Sequence, residues 1–234
     1  MKILITGANG FTSSHLVRYL QQNPELKIYC TTRNQPENAN SIICDLTDYN
    51  SVNNLIQEIK PDQIYHLAGS FSNDYHTDYA NNVLSSKYVL DSLIKNKLSC
   101  RVLLIGSAAE YGFIKEEDNP VKEDHPLNPV SIYGLTKVYQ THLMKFYCQV
   151  YDLDIVMARP FNLLGENISR QLFIGRVYQQ IEEYKSWFEN VLNDKANSFI
   201  SEHGEVQKWV GGIDKERAQQ SLDEVIEYLN SLKK

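Results

Sequence analysis

The join at residues 2–14 constrains this chain more than any other feature. An apolar strand-like run, KILIT (2–6), breaks at Gly7-Ala8-Asn9-Gly10 and passes through Phe11-Thr12-Ser13 into helical spacing at Leu16, Val17 and Leu20. Glycine at 7 permits a tight turn. Glycine at 10 lets backbone approach a pyrophosphate, which the free N–H groups and dipole of a helix N-terminus attract. The spacing is G-x-x-G, with Ser13 where a third glycine would pack helix against strand. Two glycines three apart also occur in ordinary turns; their place at the first strand–helix junction is what favours a dinucleotide site.

The rest of the chain repeats the alternation. KIYCTT (27–32), SIICDL (41–46), DQIYHLAG (62–69), RVLLIGS (101–107) and DIVMARP (154–160) read as strands. Between them, 51–59, a long stretch near 76–97, and 132–151 carry helical spacing, while 112–130 is polar with three prolines and reads as a surface loop. Strands alternating with helices imply parallel pairing with right-handed crossovers. The expected fold is α/β, a Rossmann-like doubly wound parallel sheet, with ligands beyond the carboxyl ends of its strands. Residues 1–160 are expected to form the dinucleotide-binding domain and 161–234 a small, mostly helical substrate-side region.

Composition narrows the partners. With 234 residues and a formal charge of -6, the chain has room for a good-sized core and shows no Lys/Arg cluster, which argues against nucleic acid. It contains no apolar run long enough to span a membrane, and MKILITG reads as a buried strand, not a signal peptide. Cys30, Cys44, Cys100 and Cys148 lie in or beside apolar segments and form no C-x-x-C, so buried thiols in a reducing cytoplasm are expected and no metal site.

Two details bear on chemistry. Strand 2 ends in Thr31-Thr32-Arg33-Asn34, with no carboxylate until Glu37. An arginine there suits a ribose 2′-phosphate, so NADP is expected, with NAD the alternative and a plain solvated arginine the bland reading. Second, Tyr133 and Lys137 in SIYGLTK (131–137) share one face of the expected helix. A tyrosine is a poor base at neutral pH, and a cation nearby lowers its pKa. The spacing is common by chance. Ser107, at the carboxyl end of the fifth strand, would complete a proton-handling set with Tyr133 and Lys137 beside a hydride carrier.

TGANGFTSSHL, Asp45-Leu46, YHLAG (65–69), Asn82, GSAAEYG, YGLTK and ARPFN (158–162) stand in the order found in the extended short-chain dehydrogenase/reductase family, and the chain resembles its nucleotide-sugar-modifying branch over residues 1 to about 185. The resemblance implies Tyr133 as catalytic acid/base, Lys137 as its activator and ribose anchor, and Ser107 as donor to the carbonyl. It implies cofactor contacts at Gly7, Asn9, Gly10, Phe11, Thr12, Thr32, Arg33, Asp45, Leu46, Leu67, Ala68, Gly69, Tyr133, Lys137, Pro160 and Phe161. Ser107, Ala108 and Asn162 would face the substrate. Dehydratases of the branch carry an acid two positions after the Ser/Thr; here Ala108 and Ala109 follow Ser107, and on an extended segment Glu110 would point to the opposite side, so dehydration is not expected.

GSAAEYG with ARPFN-x-x-G and LFIGRVYQQIEE is most similar to the GDP-4-keto-6-deoxy-mannose reductases, which implies an NAD(P)H-dependent reductase of a 4-keto-6-deoxy nucleotide sugar, working as a homodimer through the helices near 76–97 and 132–151. A nucleotide-sugar 4-epimerase and a non-catalytic dinucleotide-binding sensor or scaffold are the alternatives. After Lys185 the family's later substrate-domain elements are not found, and Gly165-Glu166 replaces a usual Gly-Pro, so a reduced substrate lid is expected. The tail 218–234 reads as an amphipathic helix.

Overall fold

The computed structural model describes residues 1–33, 41–170 and 172–190. Met1–Asn167 forms one compact unit, and a second begins at Ile168. The first unit runs β1 (Lys2–Thr6), α1 (Phe11–Leu20), β2 (Lys27–Thr32), β3 (Ser41–Ile43), α2 (Tyr49–Ile59), β4 (Gln63–His66), α3 (Tyr75–Asp78), α4 (Ser85–Lys95), β5 (Arg101–Ile105), α5 (Ile132–Tyr151) and β6 (Ile155–Ala158). The second unit contributes α6 (Phe173–Asn190). Its last six residues belong to the stretch 185–216, where the sequence is polar and only weakly patterned; the rest of that stretch and the tail 218–234 lie outside the described residues.

All neighbouring strands pair in parallel, in the order β3-β2-β1-β4-β5-β6. The order reverses direction between β1 and β4, so the crevice for a ligand opens at their carboxyl ends. The central strands are apolar on both faces because helices cover both: Ile3, Leu4, Ile5, Ile64, Val102 and Leu104 are buried. On one face Leu4, Ile64, Val102 and Leu104 pack with Val52, Ile56, Val89, Leu90 and Leu93 from α2 and α4. On the other, Ile3, Ile5 and Cys30 pack with Leu16, Val17 and Leu20 of α1.

Local chemistry sets the helix ends. Asp48 caps α2 by accepting the Ser51 N–H, and Lys60 ends it in the left-handed region. Ser131 caps α5 by accepting the Gly134 N–H, and Asp152 ends it in the same way as Lys60. The expected long helix at 76–97 is broken: α3 and α4 are joined by a π-helical segment, Tyr79–Leu84. The looser coil seats buried Asn82, and such bulges recur at functional sites. Strand β4 stops at His66, since Leu67 leaves the ladder and bonds back to Tyr65. Among the described residues, no helix is long and apolar enough to cross a membrane.

Candidate active site

The site grows from the β1–α1 turn. Gly7 adopts φ +68°, and a Cβ there would lie 2.8 Å from the Cα of Ala68 on the loop after β4. Only glycine satisfies both demands. Gly10 donates its N–H to the Gly7 carbonyl, and the Ser13 hydroxyl donates to the same oxygen at 2.7 Å. Ser13 thus closes the turn, in the place where a third glycine was wanting. Gly10 is the N-cap of α1 and no side chain caps the helix, so its first N–H groups keep their pull on an anion.

Ala68 is held from below by an ordered relay. Its N–H donates to the Thr6 hydroxyl (3.3 Å), which donates to Nδ1 of His66 (2.9 Å). The Ser85 hydroxyl donates to the Asn81 carbonyl, so it can only accept from Nε2 of His66 (3.2 Å). His66 is therefore the neutral Nε2–H tautomer. Complete burial, with the Lys137 ammonium nearby, drives its pKa down to about 3.

Arg33 follows β2, where its guanidinium is exposed, bonds the Asn81 side chain and faces Asp45. Thr32 is buried at the strand end. The Asp45 carboxylate is taken by the Thr47 N–H and hydroxyl, while Leu46 packs on the core. Asn9 in the turn before α1 and Thr12 in its first turn are exposed. Phe11 lies edge-on to His15, which bonds the Glu166 carbonyl at 3.0 Å. The segment holding Gly165-Glu166 thereby rests on α1, and a Cβ at Gly165 would stand 3.1 Å from the Phe11 ring.

Helix α5 delivers Tyr133 and Lys137. Gly134 lets it approach closely, since a Cβ there would lie 2.5 Å from the Ala109 carbonyl oxygen. Ser107, Tyr133 and Lys137 do come together: the Ser107 side chain stands near enough to the phenol to bear on its pKa, and the Lys137 ammonium lies 5.7 Å from the Tyr133 ring centre. The cation is only 4% exposed; it donates to the Ile105 carbonyl at 2.8 Å and to Gln140 at 3.2 Å. Desolvation lowers its pKa to about 8.

The expectation that Lys137 acidifies the phenol needs correction for the ligand-free chain. Burial first, with the Glu110 and Asp78 charges adding, pushes the Tyr133 pKa up in spite of the Ser107 hydrogen bond. The Lys137 ammonium, 5.7 Å from the ring centre, does not outweigh that burial. Tyr133 stands protonated at neutral pH.

Around this centre, Gly69 lies against Asn82 and the Lys137 amine, with a Cβ there meeting them at 2.8 and 3.4 Å. Leu67 packs on the α1 side of the sheet. Asn82 holds the Ser70 backbone at both N–H and C=O and donates to Thr136. Asp78 accepts from Ser70, Ser72 and Asn73, bonds that outweigh the burial opposing its charge and hold its carboxyl below the usual range. This clamp presents exposed Phe71 edge-on to Tyr133, 5.0 Å between ring centres. Pro160 accepts the Ala108 N–H, Phe161 stacks on Tyr111, and Asn162 is exposed.

Residues 108–110 form a 3-10 turn and not the extended segment expected. Glu110 does turn away from the site, into complete burial against Arg159. The sequence reading passed over Arg159, Asp78, His66, Gln140 and Phe71 as site residues. Gln140 stood in view, three residues after Lys137 on the same helix.

The model of the NAD dependent epimerase/dehydratase family matches residues 3–194. The chain belongs to that family. It is 28% identical over 205 residues to the GDP-6-deoxy-D-talose 4-dehydrogenase of Aggregatibacter actinomycetemcomitans, covering 86% of this chain and 66% of that relative. It is 27% identical to the GDP-6-deoxy-D-mannose reductase of Pseudomonas aeruginosa, covering 79% and 59%. Among solved structures, RMD from Pseudomonas aeruginosa complexed with NADPH superposes with TM-score 0.68 at 25% identity, covering 80% of this chain and 63% of that one. The UDP-glucuronic acid 4-epimerase from Bacillus cereus in complex with NAD gives TM-score 0.68 at 27% identity, covering 78% and 64%. The family member described here thus spans under two thirds of the length of each of these four proteins.

Proposed function

We propose that this family member is an NADPH-dependent reductase of a 4-keto-6-deoxy nucleotide sugar. The observation that carries the reading is the meeting of Ser107, Tyr133 and Lys137 at the carboxyl end of the sheet beside the Gly7–Gly10 turn. A dinucleotide fits the residues present: the turn has no room for a Cβ at Gly7, and α1 offers an uncapped N-terminus. Gly7, Asn9, Gly10, Phe11 and Thr12 would hold its phosphates. Thr32, Arg33, Asp45 and Leu46 would hold the adenosine half. Leu67, Ala68, Gly69, Pro160 and Phe161 would line the nicotinamide half. The names of the talose dehydrogenase, the mannose reductase and the NADPH complex support the sugar class and the cofactor, as does Arg33 after β2.

When bound, NADPH supplies a hydride to the carbonyl carbon. The Ser107 hydroxyl polarises the carbonyl by donating to its oxygen. Tyr133, protonated at neutral pH because burial raises its pKa, gives that oxygen its proton. Lys137 stays buried next to the resulting phenolate and favours its charge. Ala108 and Asn162 would bound the sugar. A 4-epimerase would use the same groups but begin by removing a hydroxyl proton.

Four free thiols support a reducing, cytoplasmic setting. An aromatic strip from Tyr75 and Tyr79 to Tyr139 and Phe146 supports a homodimer along α3–α5, measurable by light scattering.

The test is incubation with NADPH and a panel of 4-keto nucleotide sugars, followed at the nicotinamide absorbance. Tyr133→Phe should cut the rate by about 10³-fold with cofactor affinity nearly unchanged. Cofactor binding with no oxidation across the panel would end the reading in favour of a sensor or scaffold.

A further inference from the structure

Glu110 is a wholly buried carboxylate with no place in the chemistry above. Its two oxygens divide their work. Oε1 accepts the backbone N–H of Ser107 at 2.8 Å. Oε2 accepts the Thr141 hydroxyl at 2.6 Å and Nε of Arg159 at 2.9 Å. The Ser107 hydroxyl accepts the Ala109 N–H at 3.1 Å, so the serine and Glu110 close a reciprocal capping box around one 3-10 turn.

That box directs Ser107. The Ala109 N–H occupies one acceptor position of the hydroxyl, which fixes the side chain and leaves its O–H free to donate to another group. The carboxylate lies flat on Gly106, and a Cβ there would fall 2.2 Å from Oε1. Arg159, 11% exposed at its side chain, neutralises the charge and carries the restraint onward to Tyr111 and to the Glu123 carbonyl of the 112–130 loop. One ion pair thus joins the Ser107 turn, α5 one helical turn beyond Lys137, the end of β6 and the surface loop. A buried charge is tolerated only with such pairing, and breaking the pair is costly.

We infer that Glu110, held by Arg159, is the positioning residue for Ser107, aiming the serine hydroxyl at the carbonyl oxygen of the sugar. This rests on the reductase reading for the identity of the carbonyl, though not for the geometry.

Two measurements on the full chain test it. Glu110→Gln keeps the shape and removes the charge, leaving an amide N–H₂ against donors from Thr141 and Arg159. In the first measurement, the amide proton of Ser107 is followed by NMR. A carboxylate acceptor holds it downfield, and Glu110→Gln should move it upfield while amides of β1 stay in place. An unmoved Ser107 resonance overturns the inference whether or not the protein turns over any sugar.

The second is a double-mutant cycle with the keto sugar and NADPH. Glu110→Gln should lower kcat by about 10-fold with KM and cofactor affinity changed less than about 3-fold, since misplacing a reacting group costs rate more than binding. In a Ser107→Ala background the same change should cost less than about 2-fold, because the residue it acts through is gone. Multiplying effects would show Glu110 acting elsewhere and overturn the assignment. A wild type that oxidises no NADPH removes the reductase reading, and the resonance of Ser107 then decides the positioning claim alone.

Discussion

Replacing Lys137 by methionine should change how stability depends on pH, by an amount the structure allows to be worked out. The ammonium is 4% exposed, and its nearest partners, the Ile105 carbonyl and Gln140, are neutral. Desolvation moves its pKa from 10.5 to about 8. The folded value lies below the unfolded one, so between them the unfolded chain binds more protons and stability rises with pH. The penalty is fully present below pH 8 and fades towards pH 10.5. At about 1.4 kcal/mol per pKa unit, the gain between pH 7 and pH 10 comes to about 2.5 kcal/mol.

In Lys137→Met this gain is lost. Loss of the two hydrogen bonds shifts the mutant's stability by a constant. The raised thiols of Cys30, Cys44 and Cys100 titrate in both proteins and cancel. Denaturant titrations of both proteins at pH 7, 8, 9 and 10 measure the difference. It should climb in the wild type's favour by about 2.5 kcal/mol over that range. A difference flat to within about 0.5 kcal/mol would mean that the lysine titrates as if in water, and the account of its buried charge would fail.

Other outcomes follow from the same structure. Arg33→Ala should weaken NADPH binding by about 10-fold and leave NADH unchanged in a fluorescence titration, a guanidinium–phosphate pair being lost; equal weakening of both would refute a contact to the 2′-phosphate. Gly7→Ala should abolish cofactor binding, because the added methyl would meet the Ala68 backbone at 2.8 Å; retained affinity by calorimetry would refute the cradle. Leu104→Ala, fully buried in the main core, should cost about 2–5 kcal/mol by urea denaturation, and a loss under 1 kcal/mol would contradict its packing.

Much of this was legible in the chain itself. Short apolar runs at 2–6, 27–32 and 101–105 encode buried parallel strands, because covering helices demand hydrophobic residues on both faces. The glycine turn and the i, i+4 placement of Tyr133 and Lys137 are local facts, decided within one turn of backbone. Tertiary structure decided the rest. Thr6 meets His66 across 60 residues, and Arg159 meets Glu110 across 49, pairings that no local spacing announces. Whether a phenol is acidified or held protonated depends on how much water its neighbours exclude and where the adjacent cation spends its hydrogen bonds. Tyr133 and Lys137 carry their chemistry in their side chains, but burial and the charge of Glu110 are properties of the folded neighbourhood, set by segments far apart in sequence.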